Sequence, residues 1–137
     1  MIGLDTNILV RYILNDDPIW SQSAQRFIDN TCTTDNPGYI NFVVLAELMW
    51  LLSDKQGWGR VELAIVVDQF LRADNLEVED PELLEYVLGK FRSGKADFAD
   101  YLIAALNEKA NAAPTITIDR IAARDSGFQK LQKVSHV

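Results

Sequence analysis

Four acidic residues of this chain stand inside apolar runs: Asp5 in Ile2-Gly3-Leu4-Asp5-Thr6-Asn7, Glu47 in Val43-Val44-Leu45-Ala46-Glu47-Leu48-Met49-Trp50, Asp100 in Ala96-Asp97-Phe98-Ala99-Asp100-Tyr101-Leu102-Ile103-Ala104-Ala105, and Asp119 at the end of Thr115-Ile116-Thr117-Ile118-Asp119. A carboxylate among apolar neighbours is desolvated, which is costly unless it is paired or binds a metal. Four cases in 137 residues imply one pocket of converging carboxylates, the donor set that a hard divalent cation such as Mg²⁺ selects.

Each acid also has a local explanation. Asp5 can serve as a helix N-cap, although Thr6 and Asn7 can cap equally well and leave it free. Glu47 has only Val43, Val44, Trp50 and Leu51 three and four residues away, so no intrahelical partner exists. A snorkelling side chain or an ion pair to another element is the alternative there. Asp97 and Asp100 stand one turn apart on one helix face, and their spacing also resembles a capping box. Asp100 stacks toward Ile103 and Ala104, on the core side. Asp119 can cap a short helix over residues 120–124, and Thr117 beside it offers a hydroxyl to ligand, water or backbone.

Other chemistries find little material. Cys32 is the only cysteine and His136 the only histidine, which removes a cysteine zinc site and makes a Ser-His-Asp triad implausible. Gly89-Lys90-Phe91-Arg92-Ser93-Gly94-Lys95-Ala96 approaches a phosphate-binding loop, but Ala96 lacks the hydroxyl and a helical pattern precedes it. It reads as a basic, glycine-punctuated connection. Gly57-Trp58-Gly59 begins a dinucleotide fingerprint that Glu62 breaks, and reads as a turn.

The elements that must position the acids alternate in type. Short strands are expected at Met1–Leu4, buried, and at Tyr39-Ile40, Leu76-Glu77-Val78 and Thr115–Ile118. Helices are expected at Ile8–Leu14, from Asp17-Pro18 onward, at Phe42–Leu52 capped by Asn41, and at Arg60–Arg72. Two more are expected at Glu82–Leu88 behind Asp80-Pro81, and from Asp97 to about Ala110. This alternation implies an α/β sandwich with a mostly parallel sheet, in one domain spanning 1–137. Ligands of such sheets bind beyond the carboxyl ends of the strands, where Asp5 and Asp119 fall.

The net charge of −7 is unevenly spread. Residues 1–88 carry five Lys/Arg against fifteen Asp/Glu, and residues 89–137 carry eight against five, three of the five being Asp97, Asp100 and Asp119. A basic rim around an acidic centre suits a polyanionic substrate, and a solvated surface with chance asymmetry is the plain alternative. No apolar run reaches membrane-spanning length, and without a signal-peptide pattern a cytoplasmic location is expected.

The Leu-Asp-Thr-Asn opening, the Leu-Ala-Glu-Leu helix, the Asp-Phe-Ala-Asp-x-Leu-Ile-Ala-Ala helix and the Thr-x-Asp strand end, in that order, resemble the PIN domain, most closely the VapC-type toxins of bacterial toxin–antitoxin pairs. The resemblance runs from Met1 to about Leu131. It implies a three-layer α/β/α sandwich and an endoribonuclease with Mg²⁺ or Mn²⁺ among Asp5, Glu47, Asp100 and Asp119. Asn7 and Thr117 match the supporting positions beside Thr6, and Asp97 matches a subgroup feature that is ligand, support or cap. Asp5 and Asp100 would hold the ion directly, with Glu47 and Asp119 acting through water or a second ion. Lys90, Arg92, Lys95, Arg120 and Arg124 form the expected RNA rim. The resemblance further implies 5′-phosphate and 3′-hydroxyl products, a cognate antitoxin and a homodimer. An RNA-processing nuclease without antitoxin and a non-catalytic binding module are the alternatives. A haloacid-dehalogenase-like phosphatase is disfavoured because Asn7 stands where a second Asp is needed, and a response-regulator receiver because paired acids at the first strand end and a late lysine are missing.

Overall fold

The computed structural model describes residues 1–135, so the sole histidine, His136, lies outside the described residues. Strand β1 (Ile2–Gly3) leads into helix α1 (Thr6–Leu14), then α2 (Trp20–Arg26), which runs on as one wider π turn, Phe27–Thr31. Strand β2 (Gly38–Ile40) is followed by α3 (Phe42–Trp50) with a π turn at Leu51–Lys55, and by α4 (Arg60–Arg72). Strand β3 (Leu76–Val78), α5 (Pro81–Ser93) and α6 (Phe98–Lys109) come next. Strand β4 (Thr115–Thr117), a 3₁₀ turn (Ala122–Arg124) and β5 (Phe128–Lys130) complete the order.

All strand pairs are parallel, and helices lie on both sides of the strands, as expected for an α/β layered fold. The described strands form two ladders, β1-β2-β3 and β4-β5. The outer edges of β1 and β4 share no ladder. The core lies between the three-stranded sheet and its helices: Leu9, Ile40, Leu45, Leu48, Leu52, Val67, Leu84 and Val87 are all fully buried.

Caps written in the sequence set most helix starts. Asn41 Oδ1 accepts from Val44 N (2.9 Å) and Asp80 Oδ1 from Leu83 N (3.2 Å), with Pro81 opening α5. Gly57 turns the chain between α3 and α4 with φ 70°, a conformation that costs glycine little.

Four sequence expectations are corrected. Helix α5 does not stop at Leu88 but continues through Gly89 to Ser93, because Leu84, Val87, Leu88 and Phe91 keep an apolar stripe against the core. One exposed glycine costs only about 1 kcal/mol there. The connection expected over residues 89–96 therefore shrinks to Gly94–Asp97. Helix α2 begins at Trp20 rather than Pro18, since Asp17 Oδ1 caps the amides of both Ile19 and Trp20. Strand β1 is the end strand of its ladder rather than a buried strand, with Ile2 half-buried and Gly3 exposed. Strand β5 escaped the sequence reading because Phe128-Gln129-Lys130 is too short to show alternation.

Candidate active site

Asp5 leaves the end of β1 in extended conformation, and its Oδ1 accepts from the amide of Thr6 at 2.7 Å. It is thus the N-cap of α1, yet it remains exposed, with its second oxygen unengaged among the described residues. Thr6 behind it is 3% exposed, and its hydroxyl oxygen has no hydrogen-bond partner among the described residues. Asn7 is exposed on the first turn. At the neighbouring strand ends stand Asn41 and Glu79. Glu79 Oε1 accepts from Phe42 N at 3.0 Å and adds a second cap to α3. Sequence reasoning passed over Glu79, because its partner lies 37 residues away.

Glu47 sits midway along α3, which packs against both α1 and α6. It is exposed, between Val43 (78% exposed) and Trp50 (55%). The expected burial of Glu47 is therefore corrected, as it is for Asp5 and Asp119: their apolar neighbours turn toward the core or form exposed surface, and the carboxylates remain in water.

Asp100 alone retains the desolvation that the sequence implied. It is half-buried in the first turn of α6, and its Oδ2 accepts from the amide of Asp97 at 3.2 Å. Burial, and then the negative charges of Asp97 and Asp119, raise its pKa above the usual carboxylate value, against a lowering by the Asp97 amide. Charges from two separate parts of the chain, at Asp97 and Asp119, thus bear on Asp100. Asp119 also performs the capping role weighed for it: Oδ1 accepts from Ile121 N (2.8 Å) and Ala122 N (3.0 Å), while Thr117 Oγ1 accepts from Asp119 N (3.0 Å). Thr117 therefore serves the backbone.

Among the described residues no ion pair engages Asp5, Glu47, Asp97, Asp100 or Asp119, and no three His, Cys, Asp or Glu side chains are close enough to form a ready metal cage. Mg²⁺ is commonly held through one or two carboxylates with several waters, so hard oxygen donors in this sparse arrangement fit such an ion. The basic residues divide. Lys90 Nζ donates to Ser126 Oγ (3.0 Å), tying α5 to the β4–β5 arm. Arg92 is drawn toward Asp68 on α4 (3.9 Å). Lys95, Arg120 and Arg124 are exposed.

Arg60 also shapes this region. Arg60 donates to the carbonyls of Phe91 and Ala96 (both 2.8 Å) and lies 4.2 Å from the Phe91 ring centroid. A cleft of about 360 Å³ adjoins it, bordered by Trp50, Trp58, Asp97 and Phe98. Arg60 was legible only as the start of a helix, since its carbonyl partners leave no mark on its own sequence neighbourhood.

Parallel strands with acids just beyond the carboxyl ends of β1 and β4 and on the adjoining helix α6 make an α/β protein with an acidic candidate site. The PIN domain family model matches residues 2–134, and the chain belongs to the PIN domain family. Nucleases of that family generally use divalent metal ions. Comparison with curated proteins and with solved structures finds no match.

Proposed function

We propose that this PIN domain is an Mg²⁺- or Mn²⁺-dependent endoribonuclease and the toxin of a toxin–antitoxin pair. The observation that carries the nuclease reading is the half-buried carboxylate of Asp100 in the first turn of α6, whose ionised form is disfavoured by burial and then by the charges of Asp97 and Asp119. Asp5 and Asp100 would hold the ion, with Glu47 and Asp119 orienting water or serving a second ion. When bound, such an ion offsets charge on the phosphoryl oxygens and lowers the pKa of a water. Asp5, capped onto Thr6, presents its free oxygen at a fixed strand end. Asp100, bonded to the Asp97 amide, stands in the first turn of α6. Lys95, Arg120 and Arg124 are available to the RNA backbone, with Lys90 and Arg92 after release from Ser126 and Asp68.

Exposed Val43 and Trp50 on α3, and Ile103 and Leu106 on α6, support a protein partner near the acids. A second copy of the chain and an antitoxin are the two partners proposed. An arginine of the antitoxin, pairing bidentately with carboxylates, would compete with the metal. The test is incubation of purified protein with cellular RNA in Mg²⁺, Mn²⁺ or chelator, with mapping of the cut ends. Cleavage that stops with chelator and leaves 5′-phosphates supports the reading, and undiminished cleavage in chelator refutes it. Relief of growth arrest by a co-expressed neighbouring small reading frame would separate toxin from RNA-processing enzyme.

A further inference from the structure

Tyr101 is 2% exposed, and its hydroxyl makes three hydrogen bonds. It accepts from the amides of Lys95 (3.1 Å) and Ala96 (3.2 Å) and donates to Asp125 Oδ2 (2.9 Å). A phenol has one proton and two lone pairs, so every capacity of this group is used. The two amides belong to the short connection that delivers the chain into Asp97 and α6. Asp125 belongs to the arm that contains β4, Asp119, the 3₁₀ turn and β5.

Within that arm the bonds are continuous. The Asp119 carboxylate holds the Ala122 amide, and the Asp125 amide donates to the Ala122 carbonyl at 3.0 Å. Ala122 itself is fully buried. A path of single hydrogen bonds therefore runs from Asp119 through Ala122 and Asp125 to Tyr101, then to Ala96 beside Asp97. Tyr101 follows Asp100 in sequence, and neighbouring helical side chains point about 100° apart. Asp100 stays at the rim while Tyr101 turns inward. No Cβ is tolerated at Gly94, where it would collide with the Tyr101 hydroxyl.

We propose that Tyr101 and Asp125 form a strut that fixes the Asp119 arm against the first turn of α6. They are then positioning residues for the acid site. The strut rests on the nuclease reading for its catalytic meaning, but its geometry is independent of that reading.

Amide hydrogen exchange and Mn²⁺ affinity of the full chain test it together. Tyr101→Phe keeps the ring in the core and removes only the hydroxyl. Asp125→Ala removes the acceptor from outside the core, and Asp125→Asn retains an oxygen that accepts. Tyr101→Phe and Asp125→Ala both break the Tyr101–Asp125 bond that crosses to the arm, and each should speed exchange at Ile121 and Ala122 about ten-fold, the effect of one hydrogen bond of ordinary strength. Each should weaken Mn²⁺ binding by roughly ten- to a hundred-fold, the usual cost of losing a residue that orients metal ligands. The double variant should be no worse than either single, and Asp125→Asn should restore both readouts. Wild-type exchange at Ile121 and Ala122 in folded Tyr101→Phe overturns the proposal, and so does the same result in Asp125→Ala, the variant to read if Tyr101→Phe does not fold. Accelerated exchange in the variants of a protein that binds no Mn²⁺ upholds the strut and refutes the nuclease reading.

Discussion

Folding half-buries Asp100 in the first turn of α6, near Asp97 and Asp119. Its pKa is raised, so the native state holds the carboxyl proton more tightly than the unfolded chain does. Its contribution to stability therefore falls as pH rises from the ordinary carboxylate range through the raised native value, and the loss is complete above that value. Asp100→Asn removes this dependence and keeps an oxygen for the Asp97 amide. The metal-free variant should melt at or above the wild-type temperature at neutral pH, with the difference vanishing in acid, while RNA cleavage falls by a hundred-fold or more. Scanning calorimetry across pH, beside a cleavage assay, checks both. Loss of fold at neutral pH would make Asp100 a structural residue. The burial expected from the sequence holds in part at Asp100, but it was overstated for Asp5, Glu47 and Asp119. Apolar neighbours along the chain do not say which way a side chain turns at a strand end or on a helix rim.

The connection between α5 and α6 shows what sequence reading can and cannot reach. The caps at Asn41 and Asp80 were legible because each acts within three residues of itself. The long-range ties around this connection were not: the Arg60 guanidinium reaches Ala96 across 36 residues, and Tyr101 reaches Asp125 across 24. Such contacts follow from packing, which no local pattern records. Arg60 donates two hydrogen bonds and stacks on Phe91, so Arg60→Met keeps much of the bulk and loses both donors. Two carbonyls then lose a charged partner, at about 1.5–3 kcal/mol for each bond. The variant should be destabilised by that order, as measured by urea unfolding. Its Mn²⁺ affinity should also fall, because Asp97 and Asp100 hang from the same connection. Arg60→Lys should recover little, since one ammonium cannot reproduce the planar fork.

At the scale of the whole molecule the charge asymmetry seen in the sequence becomes partly committed to internal links. Lys90 is engaged with Ser126 and Arg92 leans on Asp68, while Lys95, Arg120 and Arg124 remain exposed. Neutralising Lys95, Arg120 and Arg124 together should weaken binding of RNA in chelator and flatten the slope of log affinity against log salt by about two units. Neutralising Arg92 alone should change that slope little. A titration of labelled oligoribonucleotide across salt concentrations separates the two. An unchanged slope in the triple variant would place the RNA path elsewhere.

The division of the strands into two ladders has a consequence for how the protein fails. The β4–β5 pair is three residues long on each strand, and no ladder joins it to β1. Its ties to the rest are the buried Ala122 and side-chain bonds such as Tyr101–Asp125 and Lys90–Ser126, so it is expected to open at lower free energy than the sheet and helices around Leu45, Val67 and Leu84. In rising urea this arm should detach first and take Asp119 with it. Catalysis should then disappear at a denaturant concentration where the helical circular dichroism is still native, so that the enzyme dies while its fold survives. Coincident loss of activity and helicity would show instead that the arm and the core melt as one.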